Sequence, residues 1–134
     1  MDITTSKHEG KVPVTVLHIN GKLDSTSFQS LIAEAQKIYD GGARHLVLDM
    51  TNMSYISSAG LAALHSISLI FQGKDAPDLN AGWQVFKGID FNREKQSRVK
   101  LAGMWPEVQS VLDVVGFTLL FETYPNVDAA LASF

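Results

Sequence analysis

The centre of this 134-residue chain carries an uninterrupted apolar run that leads through a polar turn into a helix rich in small residues. The segment His45–Leu64 reads HLVLDMTNMSYISSAGLAAL. A continuous run such as Leu46–Leu48 is typical of a strand buried on both faces, as in a parallel sheet. The segment therefore predicts a buried strand, a short turn and a helix that begins near Ser57 and Ser58.

Segments with the spacing of strands and of helices alternate along the rest of the chain. The predicted strands cover residues 12–19, 46–49, 99–104 and 118–124, preceded by a weaker strand at 1–5, and the predicted helices cover 28–39, 59–71, 106–115 and 126–134. Such alternation is typical of an α/β domain with a mostly parallel or mixed sheet and crossover helices. We expect one domain over residues 1–134, with about four to five strands and about four helices.

Turn and capping residues predict where these elements begin and end. Thr26 and Gln29 have the spacing of a capping box, which predicts the start of the first helix. The other signals are a turn at Asn20-Gly21, helix ends at Gly41-Gly42 and Gly116, a first helical residue at Pro106, and a capping side chain at Asn126.

A long connection, Gly73–Arg98, separates the second helix from the next strand. It exceeds an ordinary αβ connection of about 2–6 residues, and its apolar residues, among them Trp83 and Phe86, would need burial. Three interpretations remain open: an ordered excursion packed on the same domain, a surface for a homodimer or another partner, and a disordered segment. Because a helix of about 13 residues is about 20 Å long, we expect this insertion to leave the helix at the end opposite Ser58.

Composition excludes several classes of function. The formal charge of −3, from 11 basic and 14 acidic residues, gives no electrostatic reason to expect nucleic-acid binding. The absence of cysteine excludes disulfides, thiolate metal sites and thiol nucleophiles. No segment reaches the roughly 18 apolar residues that a membrane helix needs, and the first residues lack the pattern of a secretory signal. We therefore expect a cytoplasmic protein with no nucleic-acid or membrane partner.

Common catalytic and ligand-binding motifs are absent from the sequence. It has no Walker-type glycine loop, no dinucleotide fingerprint, no HExxH helix and no Gly-x-Ser-x-Gly elbow. His8, His18, His45 and His65 have no short metal-ligand spacing, and we interpret them as surface or core-edge residues. We expect no catalytic residue and no metal ligand.

Two single residues allow more than one interpretation. Asp49 is interpreted as an acceptor of backbone amides in the following turn, because a receiver-type phosphoryl acceptor needs an acidic cluster that binds a divalent cation. Trp105 is expected in the core or as a staple for the third helix, with a partner contact as the alternative.

Ser57 and Ser58 permit two chemical roles at the start of the second helix. A serine oxygen at this position accepts from the free amides of the first turn and so caps the helix. The same amides and the positive end of the helix dipole favour a phosphate. Each hydroxyl can therefore be a cap, a phosphate acceptor or both.

The order of elements and the segment Leu46–Leu64 resemble the STAS domain of anti-sigma-factor antagonists, also called anti-anti-sigma factors. Members carry an apolar strand that ends in aspartate, a short turn, and Asp/Ser-Ser-Ser/Ala-Gly-Leu at the start of the next helix. The matching stretches here are Val47-Leu48-Asp49, Tyr55–Leu61, Gly21–Asp24 before the first helix, and Pro106–Val108 with Val111-Leu112 and Gly116-Phe117 around the third helix. The resemblance covers nearly the whole chain except Gly73–Arg98. It implies one STAS-like domain with an insertion there.

The resemblance implies a regulatory protein rather than an enzyme. Ser58 would be phosphorylated by a GHKL-type serine kinase that is also the anti-sigma factor, and a PP2C-type phosphatase would remove the phosphate. The kinase-binding face would include Asp24 and the outer side of the second helix. The expected partner contacts are Asp24, Ser57, Ser58, Ala59, Gly60 and Leu61. ATP and magnesium would belong to the kinase, so we expect no cofactor in this chain.

Two departures from the family pattern and two alternatives remain, and the long insertion is the first departure. Several members carry aspartate where this chain has Ser57, so any contact of that carboxylate is absent. In the first alternative the chain is a phosphorylation-independent scaffold of a signalling or lipid-transport assembly, and Ser58 is only an N-cap. In the second it is a small-molecule or nucleotide-binding module, which the lack of a phosphate loop disfavours.

Overall fold

A computed structural model describes residues 1–74 and 95–134 of the chain. The elements are β1 (Asp2–Glu9), β2 (Pro13–Leu23), α1 (Phe28–Asp40), β3 (Leu46–Ile56), α2 (Ser58–Phe71), β4 (Gln96–Ala102), α3 (Pro106–Val115), β5 (Phe121–Tyr124) and α4 (Val127–Ala132). The strands form one sheet in the order β1-β2-β3-β4-β5. β1 runs antiparallel to β2, and the other neighbouring pairs are parallel. The predicted α/β class and mixed sheet are confirmed.

Helices cover both faces of this sheet. On one face, β2 and β3 contribute side chains such as Leu17 and Leu48 to a large core that also includes residues of α1, α2 and α3. On the other face, Val16 and Val47 belong to a smaller cluster with Ala130 of α4. Successive side chains of a strand point to opposite faces. Because both faces of β3 are covered, consecutive residues of this strand are buried, and this explains its uninterrupted apolar run.

α2 is buried on nearly all sides. The predicted stripe of Leu61, Leu64, Ile67 and Phe71 is buried, and so are the residues between Gly60 and Ser68 that lie outside the stripe. Ser66 is accommodated in this interior because its hydroxyl donates to the Ala62 carbonyl oxygen at 2.9 Å. A helix of this kind is part of the core rather than a surface helix with one apolar face.

The predicted turn at Asn20-Gly21 is wrong, because β2 continues through both residues to Leu23. The pairing of β2 with β3 shifts register on either side of Asn20 and Gly21. Gly21 has a φ of +113°, a conformation that favours glycine and lets the irregularity sit within the strand. β3 likewise runs beyond Asp49, where we expected it to end, to Ile56.

Two further boundaries differ from the predictions. The predicted capping box of Thr26 and Gln29 is wrong: Ser27 precedes α1 and makes no capping bond, and its hydroxyl donates to the Lys22 carbonyl oxygen at 2.8 Å. The predicted strand at 118–124 is a short 3-10 turn, Phe117–Leu119, followed by β5. The first strand, expected at 1–5, extends to Glu9 because it pairs with β2 over its whole length.

The predicted insertion is consistent with the long stretch between the end of α2 at Phe71 and the start of β4 at Gln96. It leaves α2 at the end opposite Ser58, as expected. Most of the insertion lies outside the described residues, and so do the interpretations of its packing and of a homodimer surface.

Candidate functional site

The start of α2 is held by a backbone contact between the ends of β2 and β3. Leu23 and Ile56 face each other in the parallel register, and the Ser57 amide donates to the Leu23 carbonyl oxygen at 3.0 Å. The chain that follows β2 therefore lies beside the start of α2. This places Asp24 at the same edge of the sheet as Ser57 and Ser58.

Gly60 permits the close approach of these two chain segments. A Cβ atom on Gly60 would lie 2.6 Å from Ile56 Cγ1, 2.8 Å from the Leu23 carbonyl oxygen and 2.9 Å from Leu23 Cγ. These distances are shorter than real Cβ contacts, so a larger residue would push the helix away from the strands. The glycine of the family-like motif has a packing role here.

The two serines differ in what they do for the fold. Ser57 is the N-cap of α2, with an extended backbone (φ −103°, ψ 179°), and its oxygen accepts from the Gly60 amide at 3.4 Å. Ser58 is the first helical residue and is exposed. Its hydroxyl makes no hydrogen bond to any residue in the described parts of the chain. The interpretation of Ser58 as an N-cap is therefore wrong, and Ser57 has that role.

The other predicted contact residues of α2 become less accessible along the helix. Ala59 is half-buried, Gly60 is buried, and Leu61 is 5% exposed. The outer side of α2 was expected to belong to the kinase-binding face. Because Gly60–Ser68 are buried, only the first residues of α2 are accessible at this end of the helix. The accessible part of the predicted site is therefore Asp24 together with Ser57, Ser58 and Ala59.

Asp24 organises the turn between β2 and α1. Its Oδ1 atom accepts from the Thr26 hydroxyl at 2.6 Å, from the Thr26 amide at 2.9 Å and from the Ser27 hydroxyl at 3.3 Å. The Thr26 hydroxyl bond is the main reason why the pKa of Asp24 lies below its ordinary value. A negative charge is thus fixed close to the start of α2 near neutral pH.

Trp105 does not lie in the core, so that part of the expectation is wrong, while the staple for α3 and the partner contact stay predictions. It precedes α3 as its N-cap residue and is 43% exposed. Its indole Nε1 donates to the Thr51 carbonyl oxygen at 2.6 Å, which fixes the ring beside β3. Tyr55, near the end of β3, is also exposed. Sequence reasoning missed Tyr55 because the in-and-out alternation of β3 breaks down beyond Met50.

Asp49 accepts hydrogen bonds in the following turn, as predicted. Oδ1 accepts from the Thr51 amide at 3.1 Å and from the Thr51 hydroxyl at 2.5 Å. Its other oxygen, Oδ2, is 2.6 Å from His18 Nδ1. Burial acts to raise the pKa of Asp49, but the bonds from Thr51 and His18 outweigh it and hold that pKa below its ordinary value.

The contact between His18 and Asp49 was missed by sequence reasoning. The two residues face each other in the parallel register of β2 and β3. Alternation along β2 does place His18 on the same face as Val16, but the register that brings it opposite Asp49 is a tertiary property.

Residues 1–74 and 95–134 contain neither a cluster of metal ligands nor a membrane-spanning helix. Within those ranges no three histidine or acidic side chains are grouped so as to hold a metal ion. No helix there combines the length and the apolar character needed to cross a membrane.

Comparison with known proteins identifies the family. Residues 4–76 match the model of the STAS domain. The chain is 28% identical over 134 residues to the Bordetella bronchiseptica protein BtrV, named as an anti-sigma factor antagonist, with 100% of this chain and 95% of BtrV covered. It also resembles the crystal structure of an anti-sigma factor antagonist from Mycobacterium paratuberculosis (19% identity, TM-score 0.65, 98% and 93% covered).

A third relative has been solved in two chemical states. The Bacillus cell fate determinant SpoIIAA in its phosphorylated form is 13% identical, with a TM-score of 0.59 and coverage of 97% of this chain and 98% of the other. The unphosphorylated form of SpoIIAA superposes with the same TM-score. These structures share the fold, and the family match spans more than half of the sequence. The chain described here belongs to the STAS domain family.

Proposed function

We propose that this chain is an anti-sigma factor antagonist that binds a GHKL-type anti-sigma serine kinase and is controlled by phosphorylation of Ser58. A PP2C-type phosphatase would restore the unphosphorylated form, and the whole of residues 1–134 would act as one cytoplasmic STAS domain. Support comes from the family membership and from the names of the similar proteins BtrV and SpoIIAA.

The observation that carries the proposal is the exposed Ser58 hydroxyl at the start of α2. Because Ser57 caps the helix, Ser58 can be modified without loss of a hydrogen bond within the described residues. A kinase can reach this oxygen without unfolding the helix. The scaffold alternative, in which Ser58 serves only as the cap, has no such support.

The electrostatics of the first turn favour a phosphate on Ser58. A phosphoserine adds about −1.5 to −2 charges, and the free amides and dipole of a helix N-terminus stabilise negative charge. The first turn of α2 contains no acidic residue that would oppose it. Asp24, by contrast, adds a negative charge at the same edge. We therefore expect phosphorylation to change the surface strongly and the stability little.

Binding to the kinase would be sensitive to that surface change. We propose that Asp24, Ser57, Ser58 and Ala59 contact the partner, while Gly60 and Leu61 hold the first turn in place from beneath. A dianion buried in an interface that offers it no counter-charge costs several kcal/mol, and about 1.4 kcal/mol lowers affinity tenfold. The unphosphorylated form would bind the kinase and free the sigma factor, and the phosphorylated form would dissociate.

A comparison of the two adjacent serines tests the modification. The wild type, Ser58→Ala and Ser57→Ala are incubated with the cognate kinase and ATP and examined by intact mass. We expect one phosphate on the wild type and on Ser57→Ala, and none on Ser58→Ala. Ser57→Ala loses the N-cap and about 1 kcal/mol of stability, so it is the matched control for a local structural effect. Phosphate on Ser58→Ala would contradict the assignment.

The effect on binding is tested with Ser58→Asp and Ser58→Ala. We expect Ser58→Asp to weaken kinase binding at least tenfold in calorimetric titration. Its melting temperature should stay within about 2 °C of the wild type, which corresponds to a change of less than about 1 kcal/mol in the free energy of unfolding. Ser58→Ala should bind as the wild type does. Equal affinity of the wild type and Ser58→Asp would refute the switch mechanism.

A further inference from the structure

A serine, a histidine and an aspartate from three neighbouring strands form one continuous series of side-chain hydrogen bonds. Ser6 Oγ of β1 lies 3.0 Å from His18 Nε2 of β2, and His18 Nδ1 lies 2.6 Å from Asp49 Oδ2 of β3. The antiparallel register pairs Ser6 with Val16, and the parallel register pairs His18 with Asp49. None of these three residues has a part in the proposed phosphorylation switch.

With Asp49 ionised and the His18 ring neutral, these hydrogen bonds assign one proton position to each nitrogen of His18. An ionised carboxylate only accepts, so His18 Nδ1 must carry the proton that bonds to Asp49. In the neutral ring Nε2 is then an acceptor, and the hydroxyl of Ser6 donates to it. This is the order of nucleophile, base and orienting carboxylate that activates a serine oxygen.

The carboxylate at the end of this hydrogen-bonded series is less accessible than the imidazole that it contacts. The side chain of His18 is 31% exposed and that of Asp49 is 13% exposed, while Ser6 is half-buried on the edge strand. Ser6 is therefore partly accessible, and the carboxylate that orients the ring is the more protected group.

A second histidine lies on the same serine. His8 Nε2 is 3.0 Å from Ser6 Oγ and its side chain is exposed. When this nitrogen carries a proton it donates to Oγ, whose own proton is directed at His18. In the proposal that follows, His8 is the donor that would stabilise the oxyanion formed when Ser6 attacks a carbonyl.

We propose that Ser6 is an activated nucleophile that takes an acyl group from activated esters, with His18 as general base and Asp49 as the residue that positions the imidazole. In the acylation step a bond forms between Ser6 Oγ and the carbonyl carbon, and the bond from that carbon to the leaving oxygen breaks. The hydroxyl proton passes to His18 Nε2 and then to the leaving oxygen. An ester and a free serine thus become an acyl-serine and an alcohol, with no other reactant.

The test uses the full-length protein with p-nitrophenyl acetate. Release of p-nitrophenolate is followed by absorbance, the acetylated protein by intact mass, and the modified residue by peptide mapping. We expect acetyl-Ser6 on the wild type and none on Ser6→Ala. Ser110→Ala is the matched control, because the Ser110 hydroxyl donates to a backbone carbonyl oxygen, that of Pro106 at 2.9 Å. It should acetylate at the wild-type rate.

Variants of the other two residues separate catalysis from structure. General-base catalysis contributes about 10²–10⁴-fold, so His18→Gln should lower the rate of Ser6 acetylation at least 100-fold. Asp49→Asn should lower it at least tenfold and move the proton of the His18 ring from Nδ1 to Nε2, as read from the imidazole nitrogen NMR signals. A change in strand packing alone would not exchange the tautomer.

Several results would overturn the proposal. They are acetylation that maps to lysines or to other serines in the wild type, acetylation of Ser6 at an unchanged rate in His18→Gln, and an unchanged tautomer in Asp49→Asn. The mapping result on the wild type decides the question even when a variant folds poorly. Loss or retention of Ser58 phosphorylation has no bearing on it.

Discussion

Replacing Gly60 with alanine should destabilise this domain because the new methyl group has no space. The added Cβ would lie 2.8 Å from the Leu23 carbonyl oxygen and 2.6 Å from Ile56 Cγ1. This carbonyl oxygen accepts a hydrogen bond from the Ser57 amide, so a shift of Leu23 away from the new methyl group would break that bond. The start of α2 must therefore move away from the ends of β2 and β3.

The expected size of the effect follows from two opposing contributions. Overpacking costs about 1–3 kcal/mol, and the backbone contact puts Gly60→Ala near the upper end. The higher helix propensity of alanine stabilises the folded state by at most about 1 kcal/mol relative to glycine. The free energy of unfolding should therefore fall by about 2 kcal/mol, which lowers the melting temperature by roughly 8 °C in a chain of this length.

Urea unfolding followed by far-UV circular dichroism measures this change, and Gly41→Ala provides the matched control. A Cβ on Gly41 would meet the carbonyl oxygens of Lys37 and Ile38 at 3.4 and 3.5 Å, and Gly41 has an ordinary φ of −74°. Gly41→Ala should leave the stability unchanged or raise it by up to about 1 kcal/mol. A Gly60→Ala variant as stable as the wild type, or an equal loss of stability in the two variants, would show that the added methyl group meets no steric clash.

Two further predictions concern hydrogen bonds around β3. Folding lowers the pKa of Asp49. The contribution of Asp49 to the free energy of unfolding is therefore complete above its unfolded pKa of about 3.9, and it is lost as the pH falls through the pKa of the folded state. Urea midpoints between pH 3 and pH 6 should thus depend less on pH in Asp49→Asn, and an unchanged slope would contradict this. Trp105→Phe removes the indole bond to Thr51 and should cost about 1 kcal/mol, whereas an unchanged urea midpoint would show that the bond contributes nothing.

The sequence predicts those parts of the fold that depend on local patterns. The apolar run Leu46–Leu48, the helix spacing of α1 to α3 and the cap at Asn126 all correspond to elements of the structure. The Asn126 side chain accepts from the Ala129 amide at 2.8 Å, as its position predicts. The family-like motif also marks the correct helix start.

The features that the sequence did not predict depend on contacts between distant segments. Asn20-Gly21 has the composition of a turn, but pairing with β3 keeps both residues in β2. Thr26 and Gln29 have the spacing of a capping box, yet Thr26 donates to Asp24 instead. The choice between Ser57 and Ser58 as the cap is set by the register at Leu23, which composition cannot reveal. In the same way, only the sheet order brings Ser6, His18 and Asp49 together.

The burial of α2 on nearly all sides limits how a signal can travel from its first turn. Rotation or sliding of this helix would require the close-packed core around Leu61–Ser68 to repack, which interiors of this density resist. If Ser58 is phosphorylated as proposed, a partner would recognise the phosphate on an otherwise unchanged domain rather than a movement of α2. The time course of such a signal would follow the enzymes that add and remove the phosphate, with no slow relaxation of the domain to delay either direction.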